Sequence, residues 1–244
     1  MAESPQPIPQ LPLALQLARE ATFETYLAEA DNAGVAAHVR AVATGERRDA
    51  IWLAGGIGVG KTHLLQAACT AAGAAGRRAI YVPLGRHSEL SPGLLGDLDA
   101  LDLVALDAVD SVARNRDWET ALFGVLTPRS AETASLLFAS RDVPAKVAFD
   151  LPDLASRAAG MIVYRLVGLS DEAQIGALLR HAEQRGVGLD RAAAEFLAHR
   201  VARDMSTLCH WLDRLDAASL AAKRQITIPL IRAVLQYRED RDTR

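Results

Sequence analysis

Cysteine is scarce in this chain: Cys69 and Cys209 are the two in 244 residues, and both stand alone in apolar, helix-like surroundings. Isolated thiols of this kind argue against a disulfide framework and, still more strongly, against a structural metal site. Aromatic residues make up only 5% of the chain while half of it is hydrophobic, so the core must be packed by Leu, Ala and Val in helix-rich layers. No apolar run approaches the ~20 residues of a membrane span, and no basic-then-apolar leader opens the chain. A soluble, cytoplasmic protein with no membrane partner is expected. Positive charge is not in excess either: 27 Lys and Arg face 30 Asp and Glu, a net charge of −3. That balance removes the electrostatic case for strong binding to bare nucleic acid. The six histidines, His38, His63, His87, His181, His199 and His210, show no metal-ligand spacing. Ser140 and Ser156 lack a nucleophile elbow, so no hydrolase of that type is indicated. No repeat of 20–50 residues is present.

What is present is a phosphate-binding fingerprint. The apolar run Ile51-Trp52-Leu53-Ala54 leads into Gly55-Gly56-Ile57-Gly58-Val59-Gly60-Lys61-Thr62, and a helical pattern starts at once with His63. Glycines at these positions let backbone N–H groups turn inward around a polyphosphate. Lys61 would reach the terminal phosphates, and the Thr62 hydroxyl would meet Mg²⁺. The N-terminus of the following helix adds its unpaired N–H groups and dipole. Residues 55–63 are therefore the candidate nucleotide-binding set. Downstream, Leu103-Val104-Ala105-Leu106-Asp107 is an apolar strand ending in a carboxylate, the second Mg²⁺-linked position expected at the C-terminal edge of a parallel sheet. Many ATPases of this type place another acid next, to orient the attacking water. Here that position is Ala108, and Asp110 lies two residues on, expected to point elsewhere. A slow or negligible intrinsic ATPase follows.

The pattern along the chain fits an α/β domain with an appendage. Met1 to Pro9 carries three prolines and reads as a disordered arm. The arm, residues 1–21, contains Gln10-Leu11-Pro12-Leu13-Ala14-Leu15, which is either an edge segment packed on the domain or a linear docking motif. A helical pattern is expected from Thr22 to Val42. Strands are expected at Ala50–Ala54, Arg78–Leu84, Leu101–Leu106, Leu136–Ala139 and Met161–Leu166. Helices should run to Ala74, over Pro92–Leu98 and over Trp118–Leu126. Strands alternating with helices at this spacing predict a parallel sheet covered on both faces. Residues 22–168 form this α/β unit. From Leu169 the character is purely helical, with Ala173–Arg185, Arg191–Val201, Met205–Lys223 and Ile228–Tyr237, and with Ser170, Asp190 and Thr227 as N-caps. Residues 169–244 thus read as a small all-α lid.

Taken together, the phosphate loop, Leu103–Asp107, Thr22-Phe23, Leu151-Pro152-Asp153-Leu154-Ala155-Ser156-Arg157 and the lid opening Leu169-Ser170-Asp171-Glu172 resemble the AAA+ region of the DnaA family. The resemblance covers about Thr22 to Tyr237. It implies that Arg157, which alone would read as an ordinary surface arginine, is an arginine finger acting on a neighbouring subunit. The chain stops soon after Tyr237, so no helix-turn-helix DNA reader is expected. With a Gln-Leu-x-Leu-x-Leu segment at its start, it is most similar to the Hda branch of that family. For that branch the resemblance implies docking of Gln10, Leu11, Leu13 and Leu15 on the β sliding clamp of DNA polymerase III, contact with DNA through the clamp, and bound ADP or ATP with Mg²⁺. It also implies stimulation of hydrolysis of DnaA-bound ATP and, through the finger, possible self-association as a homo-oligomer. Two departures are visible. Ser206 stands where the family's lid supplies an arginine to the phosphates, and Arg141-Asp142 reverses the family's Asp-Arg order. The rival readings are an autonomous ATPase of helicase-loader type, using Asp110 or a partner's residue, and a DNA-tethering adaptor.

Overall fold

A computed structural model describes residues 21–242 apart from 28, 97, 99, 128–133, 202–203 and 223–224. Its elements are α1 (Ala30–Thr44), β1 (Ala50–Ala54), α2 (Lys61–Ala74), β2 (Ala79–Pro83), β3 (Leu103–Asp107), α3 (Arg116–Val125), β4 (Ser135–Ser140), α4 (Pro152–Ala159) and β5 (Ile162–Arg165). Four helices follow: α5 (Asp171–Gln184), α6 (Arg191–Ala198), α7 (Met205–Ala222) and α8 (Ile228–Asp242). The five strands form one parallel sheet in the order β2-β3-β4-β1-β5. Parallel strands need long crossovers, and these place helices on both faces. That is why β3 and β4 are buried at every position. One face packs Trp52, Leu106, Leu136 and Phe138 against Trp118, Leu122 and Leu154 of α3 and α4. The other packs Ile51, Leu53, Ala105 and Leu137 against Val39, Leu64 and Leu65 of α1 and α2. A third cluster, with Leu178, Leu197, Leu208, Trp211, Leu212 and Ile231, belongs to α5–α8. The expected P-loop AAA+ sheet followed by a helical lid is the observed architecture.

The helical start expected at Thr22 is displaced. Residues 22–25 form a turn, and α1 begins at Ala30. The two threonines bond to one another's backbone: Thr25 N donates to Thr22 Oγ1 at 3.3 Å, and Thr25 Oγ1 donates to the Thr22 carbonyl at 2.9 Å. Such local bonds compete directly with helical ones. The segment expected as a helix from Pro92 is a single 3₁₀ turn, Pro92–Leu95, led by Ser91. In the lid, Ser170 Oγ accepts from Ala173 N and Asp190 Oδ1 from Ala193 N, as capping predicts.

Two buried polar side chains position the loops that matter later. Asn32 is 2% exposed and pairs with both backbone groups of Val167, donating to its carbonyl at 2.7 Å and accepting from its N–H at 3.2 Å. Glu119 is 1% exposed. Its carboxylate accepts from the N–H groups of Arg114 (2.7 Å), Asp150 (3.0 Å) and Leu151 (2.7 Å), and so holds the entry to α4 against α3. Removing it would leave three N–H donors without their acceptor. Glu119→Ala should therefore cost about 3 kcal/mol, and Glu119→Gln less, because its amide keeps one acceptor oxygen. Urea denaturation of the two variants checks the order; equal and negligible costs would reject the anchoring role.

Candidate nucleotide-binding site

The loop between β1 and α2 is shaped by close approach from three sides. A Cβ on Gly55 would lie 2.9 Å from the Leu166 carbonyl oxygen beyond β5. One on Gly58 would lie 2.4 Å from Asp204 Cβ, at the entry to α7, and one on Gly60 would lie 2.7 Å from the Tyr26 ring. Gly58 and Gly60 also have φ of 75° and 96°, a region costly for any residue with a side chain. Sheet, lid and N-terminal turn thus meet at the glycines of the fingerprint. Gly56 and Ile57 form the exposed shoulder, with Ile57 69% accessible, and Val59 packs against the α1–α2 side of the core.

Lys61 Nζ donates to the carbonyls of Gly55 and Gly56, both at 2.6 Å, lying across the loop it follows. Burial lowers its pKa, partly offset by the charges of Asp107 and Asp110, while Arg141 lowers it further. Thr62 Oγ1 donates to Asp107 Oδ2 at 2.6 Å, so the two residues expected to serve Mg²⁺ are brought together. Asp107 is 8% exposed and also accepts from the Tyr81 hydroxyl (2.9 Å) and from Ala108 N–H (2.9 Å). A hydroxyl and a carboxylate oxygen form a hard donor pair, suited to Mg²⁺ held jointly with phosphate and water. Among the described residues no group of three or more His, Cys, Asp or Glu could hold a metal alone. Tyr81 was not singled out in the sequence. Burial and then the Asp107 charge raise its pKa, keeping it a protonated donor. The only advance signal was its place on the strand beside β3.

Ala108 adopts the left-handed conformation, φ 55° and ψ 47°, and brings a methyl group where a second acid would stand. Asp110 sits on the next turn with Oδ2 4.0 Å from Arg141 Nε. Its charge raises the pKa of Lys61. His63 Nε2 donates to the Thr22 carbonyl at 2.8 Å and lies 3.0 Å from Thr25 Oγ1, which ties α2 to the N-terminal turn. Burial lowers its pKa, favouring the neutral ring.

Between the loop, the turn and the lid lies a cavity of about 300 Å³, lined by Tyr26, Leu27, Gly58–His63, Leu169, His181, Met205 and Cys209 among others. Its walls are mostly apolar, with Gln66, His181 and Arg185 as polar exceptions beside the phosphate loop, a combination suited to a nucleoside. Asp204 caps α7 at its margin, accepting from Thr207 N and Thr207 Oγ1. Ser206 lies in the first turn of α7.

Arg157 stands apart from this cavity. It is on α4, donates from Nη1 to the Leu126 carbonyl at 2.7 Å, and stacks over the Phe123 ring at 4.5 Å. Gln10, Leu11, Leu13 and Leu15 lie outside the described residues.

A β2-β3-β4-β1-β5 sheet bearing this phosphate loop and a helical lid defines an AAA+ protein. Family models agree: the bacterial DnaA ATPase domain matches residues 17–85, and the Hda lid domain matches residues 171–235. The chain belongs to the Hda/DnaA-like AAA+ family. An uncharacterized protein of Haemophilus influenzae is 38% identical over 227 residues, spanning 93% of this chain and 98% of that one. Domain III of the Thermotoga maritima replication initiation protein DnaA superposes with a TM-score of 0.77 at 19% identity, covering 91% of this chain and 98% of that one. AMPPCP-bound DnaA of Aquifex aeolicus gives 0.66 at 20% identity, covering 82% and 66%. The Thermotoga maritima RuvB branch-migration motor gives 0.67 at 17% identity, covering 91% and 73%. At these identities the structural likenesses concern the fold.

The lid's contact with Gly58 yields a direct test. Gly58→Ala adds a methyl group inside the Asp204 contact and strains the backbone, so it should weaken Mg-ADP binding by at least about tenfold, equivalent to roughly 1.4 kcal/mol. Titration with a fluorescent ADP analogue measures this. Unchanged affinity would mean that the loop and lid do not meet at Gly58 when nucleotide is bound.

Proposed function

We propose that this DnaA-related replication regulator binds ADP or ATP with Mg²⁺ and acts on the nucleotide of a partner rather than on its own. Residues Gly55 to His63 would hold the nucleotide, with Thr62 and Asp107 toward the metal ion. The observation that carries the reading is a division of labour. Ala108 supplies no carboxylate to activate water at the chain's own site, while Arg157 is presented on α4, away from that site. Magnesium, when bound, supplies charge neutralisation at the phosphates. The chain's residues bind and orient.

Arg157 has five N–H donors in a rigid fork, and the Leu126 carbonyl takes one of them. The others can meet the γ-phosphate of a neighbouring DnaA and stabilise charge that develops in the transition state. Gln10, Leu11, Leu13 and Leu15 would dock on the DNA-loaded β clamp of DNA polymerase III. Docking would concentrate the protein beside DnaA and make inactivation of ATP–DnaA follow replication, preventing re-initiation. The same geometry permits a homo-oligomer in which Arg157 faces a second copy. An autonomous ATPase of helicase-loader type is the second reading, favoured by one observation: Asp110 stands just after the Asp107 strand, with Oδ2 4.0 Å from Arg141 Nε.

Single-turnover hydrolysis of labelled ATP pre-bound to DnaA separates these readings. Adding this protein with ADP, clamp and DNA should accelerate hydrolysis, and omission of any one should abolish the effect. Arg157→Ala should reduce the acceleration by about 10³-fold while leaving folding and clamp binding intact. Gln10→Ala with Leu13→Ala should remove clamp binding without lowering the melting temperature. Full stimulation by Arg157→Ala would reject the finger. Hydrolysis seen only for ATP placed on this chain, and lost in Asp110→Asn, would establish the second reading.

A further inference from the structure

The turn at residues 22–26 places a phenol against the phosphate loop. Tyr26 Oη is buried, and no described residue forms a hydrogen bond with it. The ring edge is 2.7 Å, and the hydroxyl 3.4 Å, from where a Cβ on Gly60 would be. It packs at a 52° tilt on His63, centroids 5.5 Å apart, and lines the cavity between loop and lid. The turn is held by the Thr22–Thr25 bonds and by His63 Nε2, so the phenol is presented by a fixed backbone. Burial raises its pKa to about 12, which keeps the hydroxyl protonated at neutral pH. Phenylalanine would fill the same space without the penalty of an unpaired buried hydroxyl.

We propose that Tyr26 Oη donates a hydrogen bond to an oxygen of the ribose–α-phosphate portion of a bound nucleotide, making Tyr26 a binding residue outside the phosphate-loop fingerprint. The inference rests on the nucleotide-binding reading above. Two features place the contact on this portion. Gly60 immediately precedes the N-terminus of α2, where phosphate is favoured. The cavity is also lined by Leu169, Ala177, Met205 and Cys209, apolar residues fit to receive a base, beside His181 and Arg185. Tyr26 touches the loop at Gly60 and lines the same cavity.

The test is calorimetric titration of the full, nucleotide-stripped chain and its Tyr26→Phe variant with Mg-ADP, alongside their melting temperatures without ligand. Tyr26→Phe should bind Mg-ADP about tenfold more weakly, as expected for one charge-assisted hydrogen bond. Without ligand it should melt at the same or a higher temperature, because an unpaired buried hydroxyl has gone. Titration with pyrophosphate and with 2′- and 3′-deoxy-ADP identifies the acceptor. A loss that persists with pyrophosphate assigns a phosphate oxygen, and a loss that disappears with one deoxy analogue assigns that ribose hydroxyl. Unchanged ADP affinity overturns the proposal, as does a lower melting temperature, which would show that the hydroxyl already has a partner within the protein. A wild-type chain that binds neither ADP nor ATP would instead reject the nucleotide reading itself.

Discussion

The site depends on a steric constraint: three separate parts of the chain approach one loop so closely that side chains are excluded at Gly55, Gly58 and Gly60. The exit of β5, the entry to α7 and the Tyr26 turn each take one of these positions. A loop that only needed to wrap phosphate would require glycine for its backbone angles. This one also requires glycine for its neighbours. The loop therefore serves as the joint between sheet, lid and N-terminal turn, and whatever occupies it acts on all three.

Asp107 provides the second convergence. Its two oxygens collect the Thr62 hydroxyl, the Tyr81 hydroxyl and its own following N–H, which ties α2, β2 and β3 at the C-terminal edge of the sheet. A buried carboxylate needs such donors, and the Thr62 hydroxyl is the one that a metal ion would also use. By contrast, the arrangement around Arg157 is built on the α3–α4 face of the sheet. Glu119 fixes the start of α4, while Phe123 and the Leu126 carbonyl steady the guanidinium. The machinery that would receive a nucleotide and the arginine that would act on one are held by different polar anchors.

The phosphate loop, the Asp107 strand and the four-helix lid were legible because their signals are local: glycine spacing, an apolar run ending in acid, and caps such as Ser170 and Asp190. The fold class followed from strand–helix alternation. Residues whose roles arise from tertiary contact were not legible. Tyr81 is an ordinary strand tyrosine until β3 lies beside it. Glu119 looks like a favourable acid in the first turn of α3, and only folding brings the N–H groups of Asp150 and Leu151 to it. Asp204 is one more polar residue before a helical pattern, with nothing in its neighbours to announce Gly58. The misplaced start of α1 was the recoverable error, since a Thr-x-x-Thr sequence can bond to its own backbone in place of helix.

The buried side-chain amide of Asn32 reproduces for Val167 both bonds that a neighbouring strand would make. One residue on, Gly168 is exposed, and Ser170 is joined to Glu29 only at the surface. Losing the Asn32 amide would take the partner from both backbone groups of Val167, whereas the surface bonds exchange readily with solvent. The connector between sheet and lid is thereby anchored unequally: helix α1 grips its Val167 end through a side chain that water does not reach, and its Ser170 end is tied at the surface.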